Sequence, residues 1–111
     1  MVLFSLTSNE RIRKSAEFER AFKKGKRRTV GPLLMYTVDS EFPHPRIGFS
    51  IPKRVGNAVK RNKIRRRCRE AFRLMKTTLP SNLDIVLSVR PHDVLSVEEY
   101  QELIASGVGI K

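Results

Sequence analysis

Residues 46–73 read RIGFSIPKRVGNAVKRNKIRRRCREAFR, and the fold turns on how this stretch is divided. RIGFSI, Arg46 to Ile51, alternates apolar and polar positions and reads as a strand. Pro52 ends it, because proline has no N–H to give a sheet ladder. Gly56-Asn57 opens a helix that runs to about Met75. Its apolar positions Ile64, Cys68, Ala71, Phe72 and Met75 recur at helical spacing. Lys60, Arg61, Lys63, Arg65, Arg66, Arg67, Arg69 and Arg73 cover much of the remaining circumference.

Upstream, SAEFERAFKKG reads as a short helix. Ser15 can cap it, Phe18 and Phe22 share a face four residues apart, and Gly25 supplies a left-handed stop. Leu33 to Val38 is a strand by its apolar and aromatic content. DSEFPHP, with Pro43 and Pro45, is a loop that would make a hairpin of the two strands. Downstream, LPSN (residues 79–82) breaks the long helix. Asp84 to Val89 is a nearly continuous apolar run, hence a strand central in a sheet or buried on both faces. Pro91 closes it. Ser96 and Glu99 form a capping box ahead of a final helix, which Gly107 and Gly109 stop early. The expectation is an α+β single-domain α–β sandwich over residues 1–111, in the order α-β-β-α-β-α. Residues 1–10 form an irregular N-terminal arm. The strands flanking the long helix can be parallel neighbours joined by a crossover.

The 111 residues carry 23 Lys+Arg against 11 Asp+Glu, a net charge of +12. Residues 46–73 hold 11 basic residues and one acid, Glu70; residues 11–28 hold nine and two; residues 77–111 hold two and five. Such concentration predicts a one-sided footprint for an anionic partner. No apolar run approaches the roughly 18 residues of a membrane span. In MVLFSLTSNERIRK the charges follow the apolar patch, the reverse of a signal peptide, so a cytoplasmic address is expected. One cysteine, Cys68, cannot form an internal disulfide. With only His44 and His92 beside it, it makes a poor start for a zinc site. Cys68 is read as an inert core thiol.

An exposed helix ordinarily mixes charge signs to gain i,i+4 pairs, and this one repels itself along its length. Phosphates remove that repulsion, with counterion release and steep salt dependence. Arginine suits the task because its planar guanidinium donates bidentately. First-turn N–H groups after Gly56-Asn57 can receive a phosphate oxygen, and Asn62 can bond bases or 2′-hydroxyls.

The run GNAVKRNKIRRRCREAF closely resembles the signature of the bacterial ribonuclease P protein family, whose core is written R-N-R. The resemblance extends over most of the chain. It takes in the Phe18/Phe22 helix, a strand bearing Tyr36, the Arg46-x-Gly48-x-Ser50 strand, the basic helix, and a strand ending in Arg90-Pro91. It implies an α–β sandwich with a left-handed βαβ crossover through the basic helix. It also implies a catalytic RNA partner that removes the 5′ leader of precursor tRNA and carries the active site with its Mg2+. No cofactor is expected on the protein alone, nor any catalytic residue or metal ligand. The RNA-binding residues implied are Arg46, Lys53, Arg54, Asn57, Lys60, Arg61, Asn62, Lys63, Arg65, Arg66 and Arg69. A leader-binding cleft between the first helix and the sheet would use Phe18, Phe22 and Tyr36, edged by Lys14 and Arg90. Three features depart from the pattern: Lys63 replaces an arginine, Pro52 replaces a small residue, and GVGIK ends the chain without a basic tail.

Rival classes fare worse. A self-sufficient metal nuclease needs clustered carboxylates, and these acids are scattered. A general structured-RNA-binding module, such as a ribosomal or ribosome-assembly protein, explains the charge but not the joint order of motifs. No helix-turn-helix spacing precedes the basic helix. Its apolar face is too thin for membrane-surface binding, and no small-molecule substrate is implied.

Overall fold

The computed structural model describes residues 10–109. The order is α1 (Ser15–Lys24), β1 (Lys26–Val30), β2 (Leu33–Asp39), β3 (Arg46–Ser50), a 3-10 turn (Lys53–Val55), α2 (Ala58–Met75), β4 (Leu83–Val89) and α3 (Val97–Val108). The four strands form one mixed sheet in the order β1-β2-β4-β3. The α+β sandwich is as expected, with one strand more than the sequence reading allowed. The expected N-terminal arm lies, apart from Glu10, outside the described residues.

The additional strand, β1, has the sequence KRRTV, and only Val30 of it is buried. A strand with one inward residue leaves almost no period-2 signal, and its charges read as part of a basic surface. The overlooked signal is Gly31-Pro32. Val30 and Leu33 are register partners, so these two residues are a complete hairpin turn. Gly31 has φ +58°, and proline cannot follow with a positive φ, so glycine first and proline second suits a II′-type connection.

The expected hairpin between β2 and β3 does not form. β2 pairs antiparallel with β1 and with β4, while β3 pairs parallel with β4. β4 takes the position between them because it is buried along almost its whole length, and only a central strand hides both faces. The loop after β2 therefore passes over to the far edge, and α2 is the crossover that returns β3 to its parallel neighbour β4.

Helices cover both faces. On one, Leu33, Met35, Ile47, Ile85 and Leu87 pack against Ile64, Cys68 and Phe72 of α2 and Tyr100 and Ile104 of α3. Each large side chain so buried contributes roughly 1.5–3 kcal/mol. The other face carries a smaller cluster: Ile12, Ala21 and Val86, joined by Phe18, Tyr36 and Val38. This second face remains partly open and carries part of the candidate site.

Local details differ from the sequence reading in three places. Lys14 is the N-cap of α1, and no side chain caps it, so Ser15 does not. Gly25 has φ −76° rather than a left-handed value. A Cβ there would stand 2.4 Å from the Ala21 carbonyl oxygen and 2.9 Å from that of Thr37, so the glycine permits close approach of α1 to β2. Gly107 lies inside α3, where a Cβ would meet Met35 Sδ at 2.4 Å; the left-handed cap is Gly109, φ +89°. The Ser96–Glu99 capping box forms as expected.

Candidate RNA interface

The basic helix is anchored as its pattern required. Asn57 is its N-cap, accepting from the Lys60 N–H at 2.9 Å, and Ile64, Cys68, Ala71, Phe72 and Met75 are its buried residues. Burial pushes the Cys68 thiol up to about 12, which keeps it protonated and unreactive.

With that stripe turned inward, the cations line the outer arc. Arg61, Arg65 and Arg69 rise one turn apart along its rim. Arg61 Nε donates to the Gly56 carbonyl at 3.1 Å, and Arg65 donates to Asn62 Oδ1 at 2.7 Å. These bonds hold two guanidiniums without neutralising either. Asn62, Lys63 and Arg66 are exposed, as are Lys53 and Arg54 on the 3-10 turn, and Lys60 is half-buried. Two cations on α2 serve the fold. Arg67 donates to the Leu95 carbonyl at 2.8 Å, tying α2 to the segment before α3, and Arg73 pairs with Glu70.

Arg69 occupies the most unusual position. Its guanidinium lies 5.9 Å from the Phe49 ring centroid, and its Nε is buried with no hydrogen-bond partner. Burial pushes its pKa down, and the positive charges of Arg11, Arg65 and Arg13 push it further. Arg11 Nε is likewise buried and unpartnered. Arg11 lies beside the outer edge of β3 through a parallel bridge to Ile47. Arg11 and Arg13 were absent from the sequence-derived site; the bridge to β3 and the Glu10–Lys76 ion pair at the end of α2, both invisible in the sequence, fix the position of this segment. Arg69 thus lies in the field of three other arginines, and the two orphaned Nε donors of Arg11 and Arg69 make a costly arrangement that an anion would relieve.

Arg46 behaves differently from its neighbours in sequence. It is 5% exposed. Its Nε and Nη2 donate to Asp84 at 2.8 and 2.6 Å, and its Nη1 donates to Glu17 at 2.7 Å. Phe42 stacks on the guanidinium at 4.0 Å. The hydrogen bonds to Asp84 push Arg46 up against the opposing effect of burial. Expected among the RNA contacts, Arg46 is instead engaged within the fold: Arg46 and Asp84 are register partners, and with Glu17 they lock β3, β4 and α1 together.

On the α1 face, three aromatic rings form a strip. Phe18 and Phe22 have centroids 6.4 Å apart, and Phe22 meets Tyr36 edge-on at 4.8 Å. Phe22 is 42% exposed, and Phe18 and Tyr36 are half-buried. Gly48 makes room for the first ring, since a Cβ there would stand 2.9 Å from Phe18. The strip thus offers π-faces while resting on the small core cluster. Lys14 lies exposed at the start of α1 and Arg90 exposed just after β4.

The sequence matches the family model described as Ribonuclease P over residues 6–107. The chain belongs to the ribonuclease P protein family. The ribonuclease P protein component of Bacillus cereus (strain B4264) is 36% identical over 99 residues, covering 87% of this chain and 86% of that protein. Among solved structures, the Staphylococcus aureus RNase P protein superposes with a TM-score of 0.79 at 33% identity, covering 90% and 93% of the two chains. The Thermotoga maritima RNase P protein gives 0.79 at 27%, covering 92% and 98%. Membership makes the chain the protein component of a ribonuclease, with a role in tRNA 5′ processing and an RNA partner in the holoenzyme. The general RNA-binding alternative gives way to this assignment. Among the described residues, no helix is long and apolar enough to cross a membrane, and no group of three or more His, Cys, Asp or Glu is arranged to hold a metal ion.

Proposed function

We propose that the α2 edge binds the catalytic RNA of ribonuclease P and that the α1 face holds the single-stranded 5′ leader of precursor tRNA. The arginine cluster carries this reading. The charges of Arg11, Arg13 and Arg65 bear on Arg69, and the Nε atoms of Arg11 and Arg69 are buried and unpartnered, a donor set suited to phosphate oxygens. Lys53, Arg54, Asn57, Lys60, Arg61, Asn62, Lys63 and Arg66 extend it along one edge of the molecule. On the other face, Phe18, Phe22 and Tyr36 supply stacking surfaces indifferent to base identity, which fits leaders of varied sequence, with Lys14 and Arg90 as flanking charges. The reading places the protein in the cytoplasm.

Chemistry follows from this division. Glu17 and Asp84, the acids beneath the α1 face, are both held by Arg46, so a cation would have to displace a guanidinium to bind there. Phosphodiester hydrolysis, with its Mg2+ ions, belongs on this reading to the RNA. The protein holds the leader so that the scissile phosphate meets those ions, which is a gain in positioning.

Single-turnover cleavage of a precursor tRNA by a bacterial ribonuclease P RNA at low magnesium tests the proposal. Adding the protein should restore cleavage at the mature 5′ end, and Arg61→Ala with Arg65→Ala should abolish the restoration. Salt-sensitive RNA binding without any stimulation would refute it.

A further inference from the structure

The aromatic strip has a direction. Phe18 stands over Gly48 of β3 and Phe22 against Tyr36 of β2. Tyr36 is the register partner of Arg27 on β1, and cross-strand partners face the same side. The line Phe18–Phe22–Tyr36–Arg27 thus crosses the sheet from the edge near α2 to the opposite edge. Three interstrand spacings separate these edges, about 14 Å.

That far edge is itself basic. Lys26, Arg27 and Arg28 are all exposed. Among the described residues none of them, nor Lys24, is engaged in an ion pair. Lys26 and Arg28 pair with Thr37 and Met35, so they point to the side opposite Arg27. There, with Lys24 and Arg20, they line an open cleft of about 410 Å³ whose apolar walls include Val108 and Leu83. One acid, Asp39, lines it too, and the Arg20 guanidinium donates to its main-chain carbonyl at 2.6 Å. Lysines on an edge strand can also serve only to prevent edge-to-edge pairing. That role needs neither a cleft nor a basic residue continuing the aromatic line.

We infer that the β1 edge is a second leader subsite: phosphates beyond the aromatic strip pass over Arg27 into the cleft of Lys24, Lys26 and Arg28. The inference rests on the leader reading of the α1 face. With the catalytic RNA at the α2 edge, a leader laid along the strip reaches β1 only with its 5′-distal nucleotides. The subsite therefore acts on long leaders and is idle on short ones.

The test uses the reconstituted holoenzyme and two precursor tRNAs, one with a leader just covering the strip and one longer by about four nucleotides, within the site size of small single-strand binders. Wild-type protein should bind the longer leader about tenfold more tightly. Lys26→Thr with Arg28→Thr, both compatible with a strand, should abolish that gain. The salt slope for the long leader should fall by about 1.4, as for two single-strand phosphate contacts. Affinity for the short leader and for the catalytic RNA should stay unchanged.

Equal losses on both leaders, or weaker binding to the catalytic RNA, would overturn the inference in favour of an RNA-subunit contact. So would a wild type indifferent to leader length. Aggregation of the double variant with the length gain intact would leave the basic edge as a guard against strand pairing. Phe22→Ala reports separately on the underlying reading, since it should weaken the short leader. If it does not, the aromatic-strip assignment fails whatever β1 does.

Discussion

Arg46 and Arg69 lie on opposite sides of the sheet, and their surroundings show two uses of the same side chain. Arg46 meets two carboxylates and an aromatic ring, and all three of its bonding nitrogens have partners. Arg69 also sits against an aromatic ring, but its charged neighbours are three other arginines and its buried Nε has no partner. The first environment is complete without RNA. The second leaves a donor unpartnered, which an anion would complete. Basic residues in a nucleic-acid-binding protein are thus separated by what already satisfies them rather than by position in a basic run.

The largest expected effect lies on the Arg46 side. Arg46→Ala strands two acids, one of them the 2% exposed Asp84, and should cost about 3–5 kcal/mol of stability, read by urea denaturation. Replacing Arg46 and Asp84 together by apolar residues of similar volume should recover much of that loss. Arg65→Ala with Arg69→Ala should do the opposite. Stability should hold or rise as repulsion is relieved, while affinity for the catalytic RNA should fall about a hundredfold, given roughly 1.5–3 kcal/mol for each charge-assisted bond. A stability loss in the Arg65/Arg69 variant matching that of Arg46→Ala would erase the contrast between the two regions.

Smaller effects sharpen it. Phe22→Ala removes a stacking face worth roughly 1–3 kcal/mol per base. It should weaken precursor tRNA binding about tenfold with little change in stability, since the ring is already half in solvent. Acid should act first through the paired region. Burial alone would raise Glu17, but its hydrogen bond to Arg46 and the guanidinium charge hold it below the ordinary carboxylate value. A depressed carboxylate contributes stability present above its unfolded pKa and lost as pH falls through the folded one. Melting temperature should therefore decline on that acidic limb, and Glu17→Gln should flatten the decline. The smallest effect is an anion one: millimolar sulfate should raise the melting temperature of the wild type, and less so that of the Arg65/Arg69 variant.

Much of this was legible in the sequence because it depends on local period and capping. The α2 stripe, its Asn57 cap, the Ser96–Glu99 box and the central character of β4 all follow from residues within a few positions of one another. The aromatic pair on α1 was legible for the same reason. Pairing partners were not. β3 bonds to residues 38 further on, and a hairpin with β2 is the more local expectation. The pairing of Arg46 was not legible because its acids, Glu17 and Asp84, come from distant segments. Arg11 is positioned by the bridge of the chain before α1 to Ile47 and by the Glu10–Lys76 ion pair, contacts with no sequence signature.

The affinity ratio of precursor to mature tRNA would show a division of labour between the α2 edge and the α1 face most directly. It should be measured with holoenzyme at protein concentrations that saturate the RNA subunit, for wild type, Phe22→Ala, and Arg61→Ala with Arg65→Ala. The account predicts that the ratio collapses toward one in the Phe22 variant and stays at the wild-type value in the arginine variant, which instead needs more protein to assemble. A ratio untouched by Phe22→Ala but lost with the two arginines would contradict it, placing leader recognition on α2.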